Sequence, residues 1–248
     1  MNSKIIFENQ EYSWKKFPGF SLLFSPEAKN FEGKLLHNHL STTNAFYRIL
    51  HSVSSEFINN NPVLSSADRF LKLDFSSWHI TVWDGINNGN YHQLKKADKL
   101  YFSRFMNSLK YSDIHRDIRE LIEKSIRWMN SSGELKFAFR KLYNYENKVL
   151  VVSLKPADIS SLDRLHKIKL IRRNLNNYFE DHFGFSTSMR YLPHSSLGYF
   201  VDEQAGKNFR PYHDNFNALL EEKLYNVSIN FNAVNLFSFS DMVSFFKM

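Results

Sequence analysis

The stretches WHITVWDG, residues 78–85, and PHSSLGYF, residues 193–200, decide how this chain is read. Each sets a histidine, one spacer, a hydroxyl residue and an apolar residue in what the pattern predicts to be a β-strand. Side chains alternate between the two faces of a strand. His79 therefore points with Thr81, and His194 points with Ser196. Two such strands facing each other would offer two imidazoles and two hydroxyls to one small anion. That set suits acid–base chemistry on a phosphate ester.

The flanking sequence supplies the frame. PGFSLLFSPE holds a short apolar run that stops at Pro26 and reads as a strand, and FLKLDF at 70–75 alternates as one. Apolar residues at helical spacing mark helices over about 43–59, 112–130 and 158–182, with a further helix over about 211–223. Ser112 or Asp113 is the expected cap of the second and Asp158 of the third. ELKFAFRKLYNYENKVLVVSLKP turns over at Tyr145-Glu146-Asn147 as a hairpin, and the last 25 residues read as two strands. Hairpins dominate over strict strand–helix alternation, so the expected class is α+β with largely antiparallel sheets. Each half holds a long helix followed by a histidine–hydroxyl strand, which suggests two related lobes.

Composition narrows the classes further. A chain of 248 residues with 43% hydrophobic and 23% charged residues is ordinary for a globular protein. Cysteine is absent, which excludes disulfides, thiolate metal sites and a cysteine nucleophile. Nothing resembles a signal peptide or a membrane span, so a cytoplasmic protein is expected. The net charge of +7 is compatible with an anionic or nucleic-acid partner, although many basic proteins bind none.

Ten histidines would give about one His-x-Ser/Thr by chance, and three occur. The third, His39-Leu40-Ser41, leads into Thr42 and Thr43 and reads as a helix entrance. The competing reading of His79 and His194 is a pair of half-buried sheet histidines with local hydrogen bonds. What favours chemistry is a family likeness. HITV at 79–82 and HSSL at 194–197 resemble the two His-x-Thr/Ser-apolar motifs of the 2H phosphoesterase superfamily. VVSLKPADISSLDRLHKI resembles the strand-then-helix approach to its second motif. GFSLLFSPE through HNHLSTTNAFYRIL resembles an uncharacterised bacterial branch. The chain departs from the pattern in a longer separation of the two motifs and in Ser196, where threonine is commoner. It also departs in Arg190-Tyr-Leu-Pro193-His194, where relatives often have Arg-Pro-His.

The resemblance implies a single bilobal α+β domain over 1–248, two largely antiparallel sheets around a central cleft, outer helices and a helical insertion near 95–130. It implies a phosphoesterase with no metal and no cofactor, acting on a 2′,3′-cyclic or 1″,2″-cyclic phosphodiester, or on a 2′-5′ linkage, of a nucleotide or RNA end. His79 and His194 would be acid and base in an unassigned order, with Thr81 and Ser196 on the non-bridging oxygens. A monomer is expected. The alternative is a non-catalytic module of the same fold that grips RNA or a nucleotide, and a third option is an interaction protein with an apolar patch.

Strand parity nominates further residues. Trp83 shares the His79 face and could stack on a nucleobase, against a stronger reading as sheet core. Gly198 shares the His194 face and could leave room for a ligand. Tyr199 is expected to pack. Arg190 and Arg140 could neutralise a phosphate, against solvated surface roles. Metal binding by His37 and His39, or near Asp74 and Asp84, is the weaker rival.

Overall fold

The computed structural model describes residues 2–25, 44–131, 133–188 and 190–248. The expected entrance at His39–Thr43 and the His37–His39 pair lie outside them. The chain opens with a hairpin, β1 (Ile5–Glu8) and β2 (Glu11–Trp14). It reverses at Asn9 and Gln10, both at positive φ (52° and 67°), the backbone that short hairpin turns require. Then come β3 (Gly19–Ser25), helix α1 (Ala45–Asn60), β4 (Phe70–Lys72) and β5 (Thr81–Asn87). Helices α2 (Lys96–Ser108) and α3 (Arg116–Asn130) lead to the hairpin β6 (Leu135–Tyr145) and β7 (Val149–Pro156). Helix α4 (Ile159–Phe183), β8 (His194–Phe200) and helix α5 (Glu203–Lys223) follow. Strands β9 (Ser228–Phe231), β10 (Ala233–Phe239) and β11 (Phe245–Lys247) close the chain.

All strand pairs are antiparallel. Beside the N-terminal hairpin there is a four-stranded sheet, β11-β10-β3-β5, and a five-stranded sheet, β4-β8-β7-β6-β9. The fold is thus α+β and bilobal. The lobes are joined where β9, in the five-stranded sheet, runs through Asn232 into β10 of the other. Beside that crossing Phe24 of β3 meets Phe137 of β6 at 5.5 Å and Phe231 of β9 at 5.3 Å between ring centroids, an aromatic core shared by both sheets. Helix α4 packs on β6 and β7, α5 on β6 and β8, and α3 on β10. Asn130 at the end of α3 both donates to and accepts from the Val234 backbone.

Local chemistry sets the helix ends. The carboxylates of Asp158 and Asp202 accept from the amides of Ser161 and Ala205, three residues on, as N-caps do. Gly184, at φ 67°, ends α4 in the left-handed turn. Several boundaries differ from the sequence reading. FLKLDF forms a strand only over Phe70–Lys72, because Asp74 caps the short turn Phe75–Ser77. Helix α3 starts at Arg116, with His115 rather than Ser112 or Asp113 at its cap position, because Tyr111–Asp113 forms a separate short turn. Helix α5 starts eight residues before Pro211, which lies inside it. A proline lacks the helical N–H and reads as a start, whereas the Asp202 cap is the true one. The C-terminal stretch holds three strands rather than two.

Gly198 leaves no room for a ligand. A β-carbon there would lie 2.3 Å from the Phe70 ring and 2.6 Å from the Leu71 carbonyl oxygen. The missing side chain admits the neighbouring strand β4. Gly198→Ala is therefore expected to destabilise the fold by about 1–3 kcal/mol, the usual cost of overpacking, read as a lower urea midpoint. The loss should shrink in a Phe70→Leu background, and an equal loss in both would show that the ring is not the obstacle.

Candidate active site

The first motif is aimed from below by a short turn. Asp74 accepts from the Ser76 amide at 2.7 Å and starts the turn Phe75–Ser77. Trp78 then buries its ring against Phe75 and Tyr47, which leaves His79 at the mouth of β5, two residues before the strand begins at Thr81. The second motif follows Pro193, whose carbonyl accepts from Leu154 on β7. The two histidines are held alike. His79 Nδ1 lies 2.7 Å from the Ser77 carbonyl oxygen, and His194 Nδ1 lies 2.8 Å from that of Leu192. A carbonyl only accepts, so Nδ1 carries a proton in both rings, and Nε2 is the atom left to take or give one.

Beyond the hydroxyl residue both strands lose register. Leu22 pairs with Trp83 while Leu23 pairs with Thr81, so Val82 is an extra residue. Leu150 pairs with Gly198 while Val151 pairs with Ser196, so Leu197 is extra. A bulge of this kind turns the following residues to the opposite face. The residues that share a face are therefore Thr81 with Asp84, and Ser196 with Tyr199, three apart rather than two. This corrects two expectations from strand parity. Trp83 is entirely buried and donates from Nε1 to Asn176 at 2.8 Å, so it offers no face to a base. Tyr199 borders the cleft instead of serving only as packing.

His79, Thr81, His194 and Ser196, all half-buried, line one cleft of about 400 Å³. Asp84, Asn87 and Ser21 add polar atoms. Phe17, Phe239, Met242 and Phe245 make an apolar wall, and the Phe245 ring lies 4.4 Å from that of His79. A second lobe of about 500 Å³ shares Thr81, Asp84, His194, Ser196 and Tyr199 with the first and continues past Arg140, Tyr143, Tyr145 and Arg190. Both arginines are exposed at its border. The sequence reading gave Asp84 only to a weak metal site and Tyr199 only to packing, and it missed Asn87 and the C-terminal aromatic wall. The bulges and the return of β11 carry no local signal.

A buried polar cluster joins the two motifs. Arg172 of α4, 6% exposed, donates from Nε to the carbonyl of the bulged Val82 at 3.0 Å and from Nη2 to Thr187 at 3.1 Å. Thr187 also donates to Asn176. Tyr191, three residues before His194, donates to the Thr81 carbonyl at 2.9 Å and lies under the Arg172 guanidinium. Burial raises the pKa of Tyr191, so the phenol keeps its proton at neutral pH; burial lowers that of Arg172, whose guanidinium stays charged against its acceptors. Burial likewise pushes His79 down to about 4; the nearby His194 and Lys4 add to this, while the Ser77 carbonyl and Asp84 oppose it. His79 is therefore neutral at pH 7. No group of three or more His, Asp or Glu side chains among the described residues is arranged to hold a metal ion.

No family model matches the sequence, and no curated protein matches it. Among solved structures, a conserved protein of unknown function from Agrobacterium tumefaciens superposes with a TM-score of 0.58 at 15% identity, over 100% of this chain and 90% of that one. The whole fold is thus shared. Kluyveromyces marxianus Usb1, solved with uridine monophosphate, gives a TM-score of 0.39 at 14% identity, over 94% of this chain and 98% of that one.

Two stability measurements check this description. The unfolded chain protonates a histidine near 6.5, whereas folded His79 resists until about 4. Between those values the unfolded state binds the extra proton, so stability should fall as pH drops from 6.5 to 4. The urea midpoint of His79→Asn should fall less over that window, and parallel slopes would contradict the burial of the ring. Arg172→Met strands the Val82 carbonyl and should cost about 3 kcal/mol, the scale for breaking a buried charged contact, read by urea denaturation at pH 7.

Proposed function

We propose that the protein is a metal-independent phosphoesterase that opens a cyclic phosphodiester, of 2′,3′ or 1″,2″ type, or cleaves a 2′-5′ linkage, at a nucleotide or RNA end. One observation carries the reading. Two histidines from separate lobes border a single cleft, each with Nδ1 fixed on the carbonyl two residues back and each followed by a hydroxyl side chain. This pairing supports the resemblance of the two motifs to those of the 2H phosphoesterases.

The chemistry follows from the proton inventory. Water attacks phosphorus, the new P–O bond forms, and the bond from phosphorus to the departing ribose oxygen breaks. One proton must leave the water and one must reach the ribose oxygen. His79, neutral at pH 7 because it is buried, starts as the base at Nε2. His194, as the acid, starts with a proton on Nε2 as well as on Nδ1 and delivers the Nε2 proton to the ribose oxygen. The two rings return to their starting forms through solvent before the next turnover. The hydroxyls of Thr81 and Ser196 donate to the non-bridging oxygens, where charge grows in the transition state. The apolar wall of the first lobe excludes water beside the base. Where the substrate is an RNA end, the second lobe would hold the adjoining nucleotide. Arg140 and Arg190 would meet its phosphate there, and Tyr145, 61% exposed, would meet its base.

The test is a panel of 2′,3′-cyclic nucleotides, ADP-ribose 1″,2″-cyclic phosphate and 2′-5′ oligonucleotides, with the position of the product phosphate read out. His79→Ala and His194→Ala should each lose about 10²–10⁴-fold in kcat, the range for a positioned acid or base. EDTA should change nothing. With His79 as base, kcat/KM should rise with pH through about 4, because protonated His79 cannot accept the proton from water. An acidic limb near 6.5, the ordinary histidine value, would reverse the assignment. Tight nucleotide binding with no turnover across the panel would favour the non-catalytic module.

A further inference from the structure

We propose that Lys4, carried by the N-terminal hairpin and by neither motif, is the cation that meets the substrate phosphate, and so is a third catalytic residue beside the histidines. The proposal rests on the phosphoesterase reading above. Among the described residues, Lys4 is the only lysine or arginine bordering the lobe that holds both histidines, and it borders the second lobe as well. It stands where any anion bridging the two lobes would lie.

Its charge is not spent on another group. Lys4 Nζ donates to the Tyr199 hydroxyl at 3.1 Å and lies over the rings of Phe17 and Tyr199 at 5.3 and 4.8 Å. Among the described residues it forms no ion pair. An ammonium has three N–H donors, and the Tyr199 contact uses one. Aromatic faces hold a cation in place without neutralising it.

The hairpin that carries Lys4 is fixed to the second motif. The Asn2 amide donates to the Val201 carbonyl at 2.9 Å, and the Asn2 side chain donates to Lys148. Asn2 in turn accepts from the Lys4 amide. Trp14 meets the Tyr199 ring edge-on at 5.6 Å. Lys4 is therefore registered on β8, the strand that carries His194, Ser196 and Tyr199. A cation fixed in advance needs no reorganisation when charge develops.

The balance of charge in the lobe makes this ammonium decisive. Apart from the proton that passes between the two histidines, the charged groups facing the cleft there are Lys4 and Asp84. Without Lys4 the carboxylate would have no fixed cation beside it and would repel a phosphate. A cyclic phosphodiester carries one negative charge, while its pentacoordinate transition state and its phosphomonoester product carry about two. A fixed ammonium stabilises the later species more than the substrate, and so acts on kcat more than on KM. Lys4 also works against a proton on His79, which keeps the base free.

The experiment compares Lys4→Met, which keeps the length and the ring contact, with Lys4→Arg, which keeps the charge. Hydrolysis of a 2′,3′-cyclic nucleotide and inhibition by inorganic phosphate are both measured, with His79→Ala as the activity reference. Lys4→Met should lower kcat about 10²-fold, as loss of one transition-state donor does, with KM within a few-fold. It should weaken phosphate inhibition by about tenfold. Lys4→Arg should recover most of both. Unchanged kcat and phosphate inhibition in Lys4→Met, or equal losses in Met and Arg, would overturn the role of Lys4 while leaving the histidine mechanism standing. Should the wild-type protein hydrolyse none of the cyclic substrates, the phosphoesterase reading falls. Calorimetric phosphate binding that Lys4→Met abolishes would then still support Lys4 as the anion's partner, and binding unaffected by Lys4→Met, or no binding, would overturn it.

Discussion

The site depends on a carbonyl that a regular strand would have paired. At Val82 the strand β5 bulges, and the carbonyl freed there accepts from the buried guanidinium of Arg172. A buried carbonyl without a partner costs about 1–3 kcal/mol, and a buried guanidinium without acceptors costs more. Each therefore holds the other. The same guanidinium bonds Thr187 and lies over Tyr191, whose hydroxyl reaches the Thr81 carbonyl. One cluster thereby fixes both the strand after His79 and the approach to His194. Two motifs far apart in sequence keep a fixed relation because the same buried side chains touch both.

The two halves of the cleft solve one geometric problem in the same way. In each, a carbonyl two residues before the histidine takes the Nδ1 proton, and a bulge follows the hydroxyl residue. The bulge brings the third residue after the hydroxyl to the cleft, Asp84 in one half and Tyr199 in the other. The repetition lies in the backbone, and the side chains it presents differ. That difference gives the cleft its polarity, with a carboxylate on one strand and a phenol bearing a lysine on the other.

How much of this the sequence disclosed follows from the range of each signal. Helices α1 and α4 and the β6–β7 hairpin were legible because their periodicity and caps are local. The histidine–hydroxyl pairs were legible because a spacing of two holds up to the hydroxyl in both strands. Trp83, Gly198 and Tyr199 were misplaced because that spacing was carried past Val82 and Leu197, and a bulge is a property of the pairing rather than of the strand alone. Gly198 faces Phe70, a residue more than a hundred positions away, so its purpose could not be read beside it. Lys4 was illegible for the same reason. Its neighbours in sequence mark only a short hairpin, and its meaning comes from Tyr199 at the other end of the chain.

The burial of His79 shows why such a cleft needs apolar as well as polar walls. Phe245 and its neighbours withdraw water from the ring, which disfavours the imidazolium and leaves a base that is free at neutral pH. The same withdrawal strengthens every charge that remains, since Coulomb energies rise as the local dielectric falls. An ammonium at Lys4 and a carboxylate at Asp84 would then act on a bound phosphate with little screening, one attracting and one repelling. A ligand that places its anion near Lys4 and a hydroxyl or amino donor near Asp84 would satisfy both, whereas a bare phosphate satisfies only the first. The walls that tune the histidine would therefore also favour a phosphate attached to a polar body over a free ion.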